Sequence, residues 1–369
     1  MKLHSKNNRL ATSALAVFLT ASLAFTALGI STSAQAKEIY DLQFASYVGE
    51  GAAQSRAQIW WASEIEKRTN GRVKISFFFR GSLLGARDIL KGVADGRASM
   101  GYVANAYHPA ELPLSSVVGV PFVTSNAEAQ MRTFQELYER NDAFRNEWQS
   151  KGLHVLFFNP LSENIVGMRK KVERLDELKG KSIRGLGYIN QVLQAIGANP
   201  VAIAAPEIYE GLLRKTLDGY SGFAFEVVTA LKLEEVAPYV FATGTGNYVF
   251  AATPITKSLW DGMPADIKAI FNEVNREYMD KVTEFLAATE VEVCNKIKAS
   301  GGSVYELPEE DIKKISTLVG DKIAKQWIAE TNKRGLDAQA FFADYRKTLT
   351  KFEKQATYVS GVKRCADAG

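Results

Sequence analysis

Apolar and polar positions change their period repeatedly along this chain. Leu42 to Ala45 reads as a short strand, and Ser55 to Thr69 sets Ala57, Trp61 and Ile65 on one face of a helix that Asn70-Gly71 stops. Val73, Ile75, Phe77 and Phe79 alternate as a strand, Ala86 to Ala94 is a short helix, and Ser99 to Ala104 is a strand of small residues. Glu128 to Ser150 carries a long amphipathic pattern. Leu153 to Phe158 follows as a nearly continuous apolar run, the mark of a strand covered by helices on both faces. The second half repeats the plan, with strands at Ser182 to Arg184, Val201 to Ile203 and Tyr220 to Phe225, a helix from Tyr188 to Ile196, and another that Pro206 opens. Two similar α/β lobes are predicted. From Met263-Pro264 a helical pattern runs unbroken to Ser300, where Gly301-Gly302 ends it. At about 1.5 Å per residue it reaches on the order of 50 Å and is predicted to bridge both lobes. A closing helix is expected from Ala338 to about Gln355.

The first 36 residues follow another logic. Lys2, Lys6 and Arg9 precede an apolar stretch from Leu10 to Ile30 and small residues ending Ala34-Gln35-Ala36, the pattern of a cleaved secretory signal peptide. An uncleaved anchor is the alternative, since about 21 apolar residues can span a bilayer. The expected location is a bacterial periplasm, with Lys37 as the mature start. Without that segment, 42 Lys and Arg face 41 Asp and Glu, so the net charge falls from +4 to +1. Such a near-neutral surface argues against nucleic acid or an anionic membrane as partner. The remaining chain, 46% apolar over the whole sequence, is long enough to bury a two-domain core. Cys294 and Cys365 are the only cysteines; in an oxidising compartment a disulfide and two separate thiols are both open.

Several chemistries are missing. After the export segment only His108 and His154 remain, without Cys or acidic partners at metal-ligand spacing, so no metal or other cofactor is expected. His154, in an apolar strand, reads as a core residue. There is no G-x-S-x-G elbow and no Walker A loop. Gly185-Leu186-Gly187-Tyr188-Ile189-Asn190 sits where a dinucleotide fingerprint would, but Asn190 replaces its third glycine. Gly244-Thr245-Gly246 precedes a strand and reads as a flexible crossing, and the acidic run Glu306 to Asp311 as a solvated helix start.

What the chain does carry is an ordered set of short motifs: Phe44-Ala45-Ser46-Tyr47, Glu64 to Ile75, Gly81-Ser82-Leu83-Leu84-Gly85, Val120-Pro121-Phe122, Asp176 to Arg184, Gly197-Ala198-Asn199-Pro200, Glu207 to Glu210 and Leu217-Asp218-Gly219. In order and spacing it resembles the solute-binding proteins of tripartite ATP-independent periplasmic (TRAP) transporters, of the dicarboxylate-binding (DctP) type, over nearly the whole length after residue 36. The resemblance implies an α/β periplasmic binding protein of two lobes, with mixed sheets flanked by helices, a central ligand cleft and a long bridging helix. It implies discontinuous lobes, 37–161 with 247–287 and 162–246 with 288–369, crossing near residues 161, 246 and 287. It also implies a small organic anion as ligand, a TRAP permease as partner, no catalysis, and a monomer. A receptor that hands its liganded form to a sensor protein is the alternative; a secreted enzyme on a small acid would need a nucleophile-base pair or a metal.

In the family, the Arg of the L-K-G-x-x-I-R motif pairs with the substrate carboxylate, and here that residue is Arg184. Its planar guanidinium suits a carboxylate and stays charged when buried. Two departures stand out: Asn164 aligns where some members place a second cleft Arg, and Gly222 stands where many place a ligand-touching Asn. Both remove polar grip, while Phe223 and Phe225 either add apolar area to the cleft or belong to the core. A single well-held carboxylate with a less charged remainder is therefore expected, with dicarboxylates disfavoured. Tyr47, Asn105, Tyr107 and Asn247 lie near strand ends or crossings, and Arg87 and Tyr188 near helix starts; each is either a ligand contact or a local cap.

Overall fold

The computed structural model describes residues 38–203 and 205–368, so the export segment lies outside the described residues. The chain runs through β1 (Tyr40–Ala45), β2 (Val73–Phe78), β3 (Met100–Gly101), β4 (Val103–Ala104) and β5 (Leu153–Asn159). Then come β6 (Ile165–Met168), β7 (Ser182–Arg184), β8 (Asn199–Val201), β9 (Gly219–Tyr220) and β10 (Tyr239–Ala242), and finally β11 (Ala251–Thr256) and β12 (Ser303–Glu306). Two mixed sheets result. One has the order β2-β1-β3-β11-β4 with β5 paired to β11, and the other the order β12-β10-β6-β9-β7-β8. The chain therefore leaves the first sheet after β5, returns for β11, and crosses again before β12.

Strand direction decides where side chains can converge. β1, β2 and β3 are parallel, and β11 runs antiparallel to β3, so the ends of β1 and β3 and the start of β11 share one edge. In the second sheet β7, β8 and β9 are parallel and end together. Open α/β sheets place ligands at such carboxyl edges.

The 35-residue helix Ala265–Ala299 serves both cores. Its Ile267, Phe271, Val274, Tyr278 and Val282 pack with the first sheet, and Val293, Cys294 and Ile297 with the second. Trp61 is fully buried against it and donates its indole N–H to Asn275 Oδ1 at 2.8 Å. Cys294, near its end, is disulfide-bonded to Cys365 with Cα atoms 5.8 Å apart. His154, expected in the core, is only half-buried: it stacks on Trp260 at 4.6 Å, and desolvation pushes its pKa down to about 4.

The structure corrects several sequence expectations. The pattern Glu128 to Ser150 is two helices, Ala127–Arg140 and Asp142–Gln149. Asn141 ends one and caps the other, its Oδ1 accepting from the Phe144 N–H at 3.0 Å. The expected strand Tyr220 to Phe225 stops after Tyr220, because Gly222 turns the chain with a φ of +66° and a 3₁₀ segment begins at Phe225. The expected strand Val201 to Ile203 moves back to Asn199–Val201, where Pro200 is tolerated on a sheet edge. The run Glu306 to Asp311 is not simply solvated. Glu306 ends β12, and buried Asp311 accepts from Arg174 Nε at 2.9 Å and the Leu175 N–H at 3.0 Å. Nor does all of 288–369 belong with the second sheet: the helix Ala338–Glu353 lays Phe341 and Tyr345 against Phe144 and Phe134 in the first core.

Candidate ligand-binding site

Arg184 ends β7, and only 4% of it is exposed. Its register neighbours are Val201 on β8 and Tyr220 on β9, so the backbone just beyond those strands surrounds its guanidinium. Nε donates to the Ile203 carbonyl at 3.2 Å, and Nη1 donates to the carbonyls of Ser221 at 3.2 Å and Gly222 at 2.7 Å. The Phe223 ring lies 5.7 Å from its Cζ. Among the described residues no carboxylate lies within 4.0 Å of it. Asp176 pairs with Lys179 and Lys314 instead, and Glu177 accepts from the Glu173 and Arg174 N–H groups. Burial pushes the Arg184 pKa below its ordinary value, the sign of a cation that has lost water without gaining an anion. Among the described residues Nη2 has no hydrogen-bond partner.

Asn164 holds the loop that holds Arg184. Its Oδ1 accepts from the backbone N–H of Gly222 at 2.8 Å and of Phe223 at 3.2 Å, while Nδ2 donates to Ser221 Oγ at 3.2 Å and Thr245 Oγ1 at 3.0 Å. Its amide is thus fully occupied by protein, which makes it a positioning residue rather than a free grip. Gly222 is needed at its place: a Cβ there would sit 3.0 Å from the Leu186 nitrogen and 3.5 Å from Arg184 Nη1, on a backbone that disfavours side chains. Its carbonyl also accepts from the Tyr248 hydroxyl at 2.8 Å, which brings Tyr248 and Arg184 side by side.

Facing Arg184 from the first sheet is a cluster of tyrosines. Tyr47, just past β1, has its ring 5.7 Å from that of Tyr102 and 5.6 Å from that of Tyr107, the latter edge-on at 87°. Arg87 caps the group, its Cζ 5.5 Å from the Tyr107 ring. Burial, and then the neighbouring phenols, raise the pKa of Tyr47; burial and Glu226 raise that of Tyr102, so both hydroxyls keep their protons. Tyr107 and Tyr248 are the titratable neighbours that Arg184 feels, which ties the cluster to the guanidinium.

Of the residues singled out from sequence, Arg184, Tyr47, Tyr107, Arg87 and Phe223 come together here. Phe223 is both core and floor: it packs edge-on to Tyr220 at 5.9 Å beneath Arg184. Phe225 is fully buried core. Asn105 is occupied in pairing with β11, accepting from the Phe250 N–H at 3.0 Å and donating to the Ser115 carbonyl at 3.3 Å. Asn247 turns toward the helix Ala127–Arg140, donating to Gln130 Oε1 at 3.3 Å. Tyr188 donates to Glu330 at 3.2 Å and lines a cavity of about 390 Å³ that also reaches Tyr248 and Leu186. Sequence reasoning missed Tyr102 and Tyr248. The available signals were an aromatic residue set among the small residues of the Ser99 to Ala104 strand, and one adjoining Asn247 just past the crossing.

Residues 44–330 match the family described as "Bacterial extracellular solute-binding protein, family 7". The chain belongs to that family. It is 23% identical over 321 residues to the C4-dicarboxylate-binding periplasmic protein DctP of Rhodobacter capsulatus, covering 85% of this chain and 95% of the relative. Over 333 residues it is 23% identical to the 2,3-diketo-L-gulonate-binding periplasmic protein YiaO of Escherichia coli K12, at 89% and 95% coverage. A TRAP periplasmic solute-binding protein from Desulfovibrio salexigens, solved as an open complex, is 25% identical with a TM-score of 0.74, covering 87% of this chain and 98% of that one. Another from Rhodoferax ferrireducens, solved with copurified benzoate, has a TM-score of 0.77 at 20% identity, covering 86% and 99%. This family member thus has the α/β fold of two-lobed TRAP periplasmic binding proteins, and its function is solute binding for TRAP-type transport.

Proposed function

We propose that this family member is a periplasmic receptor that captures an organic acid on Arg184 and delivers it to the membrane permease of a TRAP transporter, without turning it over. The observation that carries this reading is the state of Arg184: buried, charged, steadied by three carbonyls, and without a carboxylate partner among the described residues. Burying a cation without an anion is costly, and a carboxylate on Nη2 relieves that cost through charge-assisted hydrogen bonds. Relatives named for C4-dicarboxylates, 2,3-diketo-L-gulonate and monocarboxylate 2-oxoacids support an organic acid as the class.

The hinge of this reading lies in the crossing segments near 161 and 246 and in the helix through 287. The Asn164 N–H donates to the Gly246 carbonyl at 2.9 Å, so two crossings move as one. A ligand held between the tyrosines of one sheet and Arg184 of the other favours the closed form in proportion to the contacts made only there, and the permease reads that form. Titration calorimetry on purified protein tests the anchor. Arg184→Met is expected to weaken acid binding by more than about 100-fold, the loss of charged hydrogen bonds. Unchanged affinity overturns the assignment.

A further inference from the structure

The carboxylate anchor leaves open what the rest of the ligand is, and the wall opposite Arg184 has its own chemistry. Tyr47, Tyr102 and Tyr107 present three phenol hydroxyls, none with a hydrogen-bond partner among the described residues. Tyr102 is only 2% exposed, yet none of the three oxygens is among the sealed, unpartnered polar atoms, which do include the hydroxyl of Tyr220. Each hydroxyl oxygen therefore keeps some exposure to solvent. A phenol hydroxyl without a protein partner can exchange its water for a ligand group that makes the same hydrogen bond. Tyr47 touches Tyr102 and Tyr107 with ring centroids 5.7 and 5.6 Å apart and strongly inclined, so the three rings pack edge to face into one aromatic wall with polar tips.

Resting on the Arg184 reading, the geometry points to a monocarboxylate whose remainder is a flat, unsaturated ring carrying a hydrogen-bonding group. The ring packs on Tyr47 and Tyr107, its substituent bonds to the phenol hydroxyls, and its single carboxylate bonds to Arg184. Three observations favour this class over a sugar acid or a dicarboxylate. Two of the amides able to read several hydroxyls, Asn164 and Asn105, are bonded to the protein through both oxygen and nitrogen instead. The wall facing Arg184 is aromatic rather than aliphatic, which rewards a planar partner. Arg87, the other cation of the cluster, lies over the Tyr107 ring and is exposed, a poor place for a second buried carboxylate.

Calorimetry with four probes tests the proposal: 3-hydroxybenzoate, benzoate, 3-hydroxycyclohexanecarboxylate and D-glucuronate. Expected is 3-hydroxybenzoate tightest, by about tenfold over benzoate for the lost hydroxyl contact and by a similar factor over the saturated ring. Replacing Tyr47, Tyr102 and Tyr107 one at a time by Phe keeps the aromatic wall and is expected, for at least one of them, to abolish the preference for 3-hydroxybenzoate over benzoate. Tyr107→Leu is expected to weaken both aromatic acids and spare the saturated one. The proposal falls if the saturated acid or glucuronate binds as tightly as the aromatic acids, if the three Phe variants all leave the preference intact, or if none of the probes binds. Arg184→Met separates the two readings. If it abolishes binding of whichever acids bind while the tyrosine variants do nothing, the anchor stands and the aromatic wall falls. If it leaves every affinity unchanged, the anchor falls too.

Discussion

Arg184 and Glu290 are both buried charges, and the protein treats them in opposite ways. Around Arg184 only dipoles compensate the charge among the described residues, and one edge of the guanidinium has no partner there. Glu290, on the bridging helix, accepts from Ser162 Oγ at 2.5 Å, the Tyr358 hydroxyl at 2.6 Å and Arg364 Nη2 at 2.7 Å. Every demand of that carboxylate is met by the fold. Close to it are two further buried acids, Glu226, which accepts from Gln54 and the Ser162 N–H, and Glu163, bonded to Ser360. The contrast separates a candidate binding site from a structural knot. On the proposed reading the incomplete charge serves a ligand, while the completed one ties Ser162 and the C-terminal segment to the bridging helix.

The largest expected effect breaks the completed charge. Glu290→Ala leaves Arg364, Ser162 and Tyr358 without their acceptor and is expected to cost about 4 kcal/mol of stability, measured by chemical denaturation. A loss below about 1 kcal/mol means that the knot carries no structural weight. Next in size is the pH response of its neighbours. Burial pushes Glu226 up to about 7, and burial, followed by the charges of Glu290 and Glu306, pushes Glu163 up to about 7. A carboxyl that binds its proton more tightly when folded stabilises the fold below its unfolded pKa, near 4.3, and loses that contribution as pH rises through 7. Stability is therefore expected to fall between pH 5 and pH 7.5, by at most on the order of 3 kcal/mol per group. Glu163→Gln or Glu226→Gln is expected to flatten the slope. Asp311 and Asp344, held low by Arg174 and Arg140, act only at more acid pH and with opposite sign. A melting temperature flat from pH 5 to 7.5 overturns the assignment.

The two places were not equally legible. Arg184 could be read from the chain because it sits in a local motif at a strand end, and local order is what periodicity and motifs record. The long helix was equally plain, since 35 residues without a breaker leave no other choice. The role of Gly222 was hidden, because a glycine in place of a polar residue looks like lost grip; only the fold shows its carbonyl bound by both Arg184 and Tyr248. Asn164 was hidden for the converse reason: its type suggests a ligand contact, and its partners are backbone groups nearly 60 residues away. The knot was invisible, since Ser162, Glu290, Tyr358 and Arg364 meet only through tertiary packing. The short strands β6, β10 and β12, four residues each, are too brief for a clear period.

The smallest expected effect turns on what Arg184→Met does to the protein without ligand. The substitution removes three N–H donors from the carbonyls of Ile203, Ser221 and Gly222, and the last of these keeps the Tyr248 hydroxyl. Two carbonyls left short cost about 1 kcal/mol each. Against this stands relief from holding a desolvated cation without an anion, an effective penalty of several kcal/mol. The relief outweighs the lost hydrogen bonds, so the ligand-free variant is expected to be more stable by about 1 to 2 kcal/mol, even as it loses its acid. A binding residue that weakens the fold it sits in is what a site kept for a ligand implies. Should the variant instead unfold more easily by about 2 kcal/mol or more, Arg184 is a clamp on three loops, and its incompleteness has been misread. The same measurement on Glu290→Ala fixes the scale, because there the three lost partners, one of them charged, outweigh the relief of the buried carboxylate.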